Sequence, residues 1–303
     1  MPGLKLALKV DVDTFRGTRD GVPRLIERLR RHGAGATFLF SLGPDHTGRA
    51  IRRAFRPGFL GKVRRTSVRE HYGLKTLLYG TLLPGPDIGR ECAAQMRSAR
   101  DAGFEVGIHC WDHVRWQDGV ADADAAWTEH ELNLACERFR EVFGDAARVH
   151  GAAGWQMNPH ALRLLDAARF RYASDTRGTH PFLPVWGGER FSCLQLPTTL
   201  PTLDELIGTD GIDASDVVQH VLALTARPAP QVYTAHAELE GGKLEGVFDA
   251  LLEGWRQQGY EIVSLQAFAI ALDPAHLPRH EVALGAVPGR SGTLALQGRE
   301  IVA

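Results

Sequence analysis

Apolar and amphipathic runs alternate along the chain. Leu4 to Val12 reads as a buried strand rich in Leu and Val. A helix follows at about 20–32, with Pro23 in its first turn and Gly33 at its stop. Ala36 to Leu42 is the next strand, Asp87 caps a helix ending at Gly103, and Glu105 to His109 is a short strand. A long helix covers about 122–143, and Arg148 to Ala153 is strand-like. Asn158-Pro159, a cap and a first-turn proline, opens a helix to about Arg169. Tyr172 to Asp175, Ser192 to Thr199, Gln231 to His236 and Glu261 to Leu265 read as strands. Between the last two, Leu244, Val247, Phe248, Leu251, Leu252 and Trp255 form one apolar face at helical spacing.

This β-α rhythm predicts one α/β domain over about 1–272, with a parallel sheet that is barrel-like rather than open. A doubly wound dinucleotide fold is disfavoured because no glycine fingerprint follows the first strand. The Pro/Gly-rich tail, 273–303, is expected as an appended hairpin or a mobile end.

Composition adds limits. With 303 residues, 44% of them hydrophobic and 23% charged, the chain is globular and long enough for a core without covalent staples. No apolar run is long enough for a transmembrane helix. The start MPGLKLALKV is too short and too charged for a secretory signal, so Cys92, Cys110, Cys136 and Cys193, with no CxxC pair, read as reduced cytosolic thiols. Net charge is only −1, but residues 48–80 carry nine basic residues against one acid, Glu70. Ile51, Phe55, Phe59, Leu60, Val63 and Tyr72 are interleaved with them in an insertion at about 46–85. Two readings stay open: a solvated basic face, or an interfacial segment whose cations meet anionic headgroups while apolar side chains dip below. Nucleic acid is disfavoured because no recognition motif accompanies the charge.

Two patterns carry candidate chemistry, Asp11-Val12-Asp13 and His109-Cys-Trp-Asp-His113. Asp122/Asp124 and His276/His280 repeat the spacings, but the first pair opens a helix and the second lies in the tail. Asp11, Asp13 and His109 instead fall at C-terminal strand ends, as do Gly154-Trp155, Asp175, Thr198-Thr199 and His236. In a parallel barrel those ends converge on one face. Two imidazoles and a carboxylate suit a divalent ion with positions left open for water and substrate. Histidines four apart share one face of a helical turn, and alternate strand residues point the same way. Bland readings coexist: Asp11/Asp13 as a turn with Asx hydrogen bonds, Asp175 as the start of a turn before Arg177-Gly178, and Gly151 to Gly154 as close packing. A glycosyltransferase holding a metal and nucleotide sugar through Asp11-x-Asp13 leaves both histidines without a role. A catalytically silent lipid-binding module is a further alternative.

In this order, with Thr234-Ala-His236 at the end, the residues resemble the NodB-homology polysaccharide deacetylases, over about Leu4 to Leu265. The resemblance implies a distorted (β/α) barrel and amide hydrolysis. VDVDTFRGT, TLLPGPDIGREC, GIHCWDHVRWQD, AAGWQ, LQLPTTLPTLDE and HAELEG resemble the branch that deformylates 4-deoxy-4-formamido-L-arabinose linked to undecaprenyl phosphate. By position, the resemblance implies that Asp13, His109 and His113 hold one divalent ion (Zn, Mn or Co). Asp11 is then the general base and His236 the general acid, oriented by Asp175. Substrate or membrane contacts fall to Arg52, Arg53, Arg64, Arg65, Trp155 and Glu238. It further implies a cytoplasmic enzyme, peripheral on the inner face of the inner membrane among anionic lipids, whose product serves lipid A modification and resistance to cationic peptides such as polymyxin. Deacetylation of another N-acyl sugar is the neighbouring alternative. Two departures stand out: Val12 separates the two aspartates, and no arginine follows Arg148 in Val149 to Gln156 to orient the base.

Charge reversal at Arg52, Arg53, Arg64 and Arg65 is expected to reduce binding to anionic liposomes in a sedimentation assay while sparing turnover of a soluble sugar analogue. Unchanged liposome binding would remove the interfacial reading.

Overall fold

The computed structural model describes residues 4–50, 75–209, 212–213 and 215–302. Arg52, Arg53, Arg64 and Arg65 lie outside the described residues.

The apolar runs become a parallel sheet. Its strands are β1 (Leu4–Val12), β2 (Thr37–Ser41), β3 (Glu105–Cys110), β4 (Val149–His150) and β5 (Tyr172–Ala173). A smaller sheet contains β6 (Leu183–Trp186) and β7 (Glu189–Arg190), after which β8 (Leu194–Gln195), β9 (Gln231–His236) and β10 (Tyr260–Val263) return to the large sheet. The tail forms β11 (Arg279–Gly285) and β12 (Leu294–Glu300). In the large sheet the order β1-β2-β3-β4-β5-β8 runs outward from β1, and β9 pairs along β1 as well. Thr199 donates to the Val232 carbonyl at 3.0 Å, so the segment after β8 meets β9 and the sheet curves round on itself. This is the distorted (β/α) barrel that the resemblance implies.

Packing explains why the pattern was readable. The helix Glu245–Gln257 buries Phe248, Leu251, Leu252 and Trp255 completely, the face that its spacing marks. Asp87, Asp124 and Asn158 each accept a backbone N–H three residues on, so the caps start their helices as expected. Asp124 is thereby accounted for as a cap. The helix expected from Asp87 to Gly103 is interrupted at Cys92, giving Ile88–Glu91 and Ala93–Asp101. The strand expected over Ser192–Thr199 shortens to β8, because Pro197 has no N–H to offer the ladder. The tail is a hairpin: β11 pairs antiparallel with β12 and parallel with β6. The Arg177 N–H donates to the Ala295 carbonyl at 2.9 Å, which ties the hairpin to the loop beyond β5.

One buried charge stands behind the helix His113–Gly119. Glu131, fully buried on the helix Ala125–Phe143, meets Arg115 at 3.2 Å, yet neither carboxylate oxygen has a hydrogen-bond partner. Burial pushes its pKa up to about 7, and the Arg115 charge only partly offsets this. A carboxyl raised above its unfolded value costs stability as pH climbs from that value, with the full cost present above pH 7. Glu131→Gln is therefore expected to stabilise the protein by about 1 kcal/mol at pH 8 and to change little at pH 4, read by thermal melts.

Candidate active site

Strand β1 ends in alternating polar and apolar residues. Alternation sends Lys9, Asp11 and Asp13 toward one side, while Val10 and Val12 go to the other and join the core. The register sets Asp11 beside Leu39 of β2 and beside His236 of β9. Beyond the strand, the Glu238 Oε1 accepts the backbone N–H of Asp13 at 3.1 Å, the N–H of Thr14 at 2.9 Å and the Thr14 hydroxyl at 2.8 Å. Asp45 Oδ2 takes the Phe15 N–H at 2.9 Å. A Cβ at position 17 would lie 1.9 Å from Glu238 Oε1, so this close approach requires Gly17. Two buried carboxylates thus pin the loop that presents Asp13.

The histidines arrive from two different elements. Phe40 pairs with Ile108 and Ser41 with Cys110, which leaves His109 as the extra residue of a bulge in β3. Its Nδ1 lies 2.6 Å from the Gly151 carbonyl, which can only accept, so in the neutral ring the lone pair falls on Nε2, which sits 3.2 Å from Asp13 Oδ1. His113 opens the helix His113–Gly119, and its Nε2 is 3.5 Å from the same oxygen. The single helical turn expected for the pair is corrected: a strand end, a bend and a helix start bring the rings together. Asp112 secures that start by accepting the Arg115 N–H at 3.1 Å and contacting His46 Nδ1 at 2.6 Å.

Asp13, His109 and His113 form a group able to hold a metal ion, with ligand atoms all within 4.8 Å of one another. Asp13 Oδ1 is buried without a hydrogen-bond partner, a gap that an ion would fill. The hydrogen bond from His109 to a carbonyl is the outer support that metal-bound imidazoles require. Burial alone would raise the Asp13 pKa, but the neighbouring charges of His113 and His109 hold it well below the usual range. Burial likewise works against a charged His109, and Asp11 and Asp13 outweigh it, so its pKa is raised.

Other expected residues are placed differently. Asp11 is buried, with Oδ2 3.3 Å from Lys9 Nζ and Oδ1 unpartnered. Asp175 does not orient His236, and that expectation is corrected. Its carboxylate contacts His150 Nδ1 at 2.7 Å and accepts from the Ala152 N–H at 2.9 Å and Gln195 Nε2 at 3.2 Å. The carboxylate beside His236 Nδ1 is Asp204, at 4.0 Å. Glu238 is spent on the β1 loop. Trp155 is 1% exposed, so it presents no free face to a sugar; Arg290, Lys9 and Arg177 lie over its ring at 4.3, 5.0 and 5.1 Å. Arg290 comes from the turn of the tail hairpin, bonds Glu205 at 2.5 Å and approaches Asp204 at 3.7 Å. Arg177 bonds the same Glu205 at 2.6 Å. Lys9, Asp204, Glu205, Arg177 and Arg290 escaped the sequence reading. Only Lys9 left a local signal, a lone cation inside an apolar strand two residues before Asp11. The His276/His280 pair stays apart from the site: His276 contacts Asp273, and His280 contacts His180.

No family model matches the chain. A protein from Shewanella sediminis named 4-deoxy-4-formamido-L-arabinose-phosphoundecaprenol deformylase ArnD is 37% identical over 297 residues, covering 98% of this chain and 96% of the relative. The chain belongs to the ArnD deformylase family. A second ArnD of the same name, from Wigglesworthia glossinidia brevipalpis, is 32% identical over 94% of this chain and 99% of its own length. The chain shares its fold with a polysaccharide deacetylase crystal structure from Mycobacterium smegmatis, at a TM-score of 0.61 and 17% identity, over 95% of this chain and 97% of the other. Another from Pseudomonas aeruginosa PAO1 gives 0.59 and 14% over 88% and 89%. As a member of the ArnD family, the chain is an enzyme, a hydrolase of an amide C–N bond.

His113→Ala is expected to lower Zn or Mn binding in equilibrium dialysis by at least about tenfold, and His276→Ala to leave it unchanged.

Proposed function

We propose that the chain hydrolyses the formamide of 4-deoxy-4-formamido-L-arabinose carried on undecaprenyl phosphate, releasing formate and the free amino sugar. The observation that carries this reading is the 37% identity, over nearly the whole chain, to a relative named for that reaction. The convergence of Asp11, Asp13, His109, His113 and His236 on the ends of β1, β3 and β9 supports it. The product serves lipid A modification and resistance to cationic peptides. The enzyme works at the inner face of the inner membrane, where residues 48–80 meet anionic lipid. Among the described residues no helix is long and apolar enough to cross a membrane.

The side chains divide the reaction. Asp13, His109 and His113 would hold a divalent ion, Zn, Mn or Co, which when bound supplies Lewis acidity toward the carbonyl oxygen and a lowered pKa for water. Asp11 Oδ1, the carboxylate oxygen without a partner, accepts the proton of the attacking water. The oxygen of that water bonds to the formyl carbon. His236, beside Asp11 in the register and near Asp204, delivers a proton to the sugar nitrogen as the C–N bond breaks. The water oxygen ends in formate, both water protons end on the amine as its ammonium form, and the proton taken up by Asp11 makes good the one that His236 gives.

Incubation with the formamido-arabinose lipid should release stoichiometric formate, measured with formate dehydrogenase, and a chelator should abolish the release. Asp11→Asn and His236→Ala should each cost about 10²–10⁴-fold in kcat. No formate from the untreated enzyme, or full activity after the metal is stripped, would overturn the proposal.

A further inference from the structure

The family pattern provides an arginine to steady the base, and this chain has none after Arg148 in that stretch. The base is held from another direction. Lys9 lies two residues before Asp11 on β1, so both side chains leave the same face. The lysine is 0% exposed, its ammonium 3.3 Å from Asp11 Oδ2. The same ammonium donates to the Ser174 carbonyl at 3.1 Å and lies 5.0 Å from the centre of the Trp155 ring. Gly151 leaves room for this packing: a Cβ there would stand 3.6 Å from Lys9 Nζ and 2.3 Å from Leu39 Cδ1.

We propose that Lys9 is a positioning residue for Asp11. It ties down Oδ2 from within the same strand and leaves Oδ1 as the oxygen that faces the reacting water. Three restraints fix the ammonium: a carbonyl, a carboxylate oxygen and an aromatic face. Asp11 then has one oxygen paired and one buried and unpartnered. A free carboxylate on a buried strand would rotate to share its charge with whichever cation lies nearest. Asp11 Oδ1 is already only 3.9 Å from His109 Nδ1, so rotation would draw it toward the imidazole that should stay free of it. Lys9 prevents that exchange. The strand therefore carries its own orienting group, which replaces an arginine from a distant loop.

This inference rests on the proposed deformylase activity, so formate release by the wild-type enzyme is the reference. Lys9→Met keeps a four-atom stem and removes the ammonium. Its kcat is expected to fall about 100-fold with KM within about threefold, as misplacement of a reacting group predicts. Zn binding in equilibrium dialysis is expected to match wild type, because the ammonium is held by Asp11, the Ser174 carbonyl and the Trp155 ring. In Lys9→Ala, added n-propylamine is expected to restore kcat by at least about tenfold, whereas n-propanol is not, since only the ammonium supplies the charge. Wild-type activity with an undiminished Lys9→Met, a loss of kcat that tracks a loss of Zn, or equal rescue by propanol overturns the role of Lys9. Absence of formate from the wild type overturns the activity, and this role with it.

Discussion

Two carboxylates, Asp11 and Asp13, are buried side by side at the end of one strand, and everything nearby answers that charge. An isolated buried carboxylate costs several kcal/mol, so such a pair persists only where cations and donors compensate it. Lys9 takes Asp11, and the imidazoles of His109 and His113 take Asp13. Each compensating group is itself held by a further contact: Lys9 by the Ser174 carbonyl, His109 by the Gly151 carbonyl, and the helix start at His113 by Asp112. One oxygen of each aspartate is buried without a hydrogen bond, Asp13 Oδ1 facing the two imidazoles and Asp11 Oδ1 open, as the proposed ligand and base require.

The sheet makes this affordable in geometric terms. β1 runs between β2 and β9, so its end receives side chains from both neighbours, and the bulge in β3 turns His109 inward from one strand further away. The second layer of charge comes from farther along the chain. Arg177 and Arg290 meet on Glu205 and lie over Trp155, while Asp204 stands between Arg290 and His236. The tail hairpin is thus part of the wall around the chemistry, since its turn supplies Arg290.

Legibility followed locality. Asp11, Asp13, His109 and His236 were readable because they lie at the ends of strands whose hydrophobic pattern is strong, and His113 because it follows His109 at a spacing of four. Asp175 was misassigned for the opposite reason. Its position at a strand end was right, but the choice between His150 and His236 as partner depends on which strands neighbour each other. β5 pairs with β4, which carries His150, whereas His236 sits across the barrel on β9. Trp155 and Glu238, expected as substrate or membrane contacts, are buried, and nothing in a one-dimensional pattern records what covers a side chain.

The amino-acid order alone determined the α/β rhythm, the caps, the amphipathic helix faces and the strand-end location of the acid and imidazole groups. These follow from periodicity and backbone chemistry within a few residues. The tertiary structure decided the partnerships: Lys9 with Asp11, Asp175 with His150, Asp204 beside His236, and the tail's Arg290 over Trp155. Apart from Lys9 and Asp11, neighbours on one strand, these pairings join positions tens of residues to more than a hundred apart, and their energy exists only once strand order and burial have brought the charges within a few ångströms in a medium that screens them weakly.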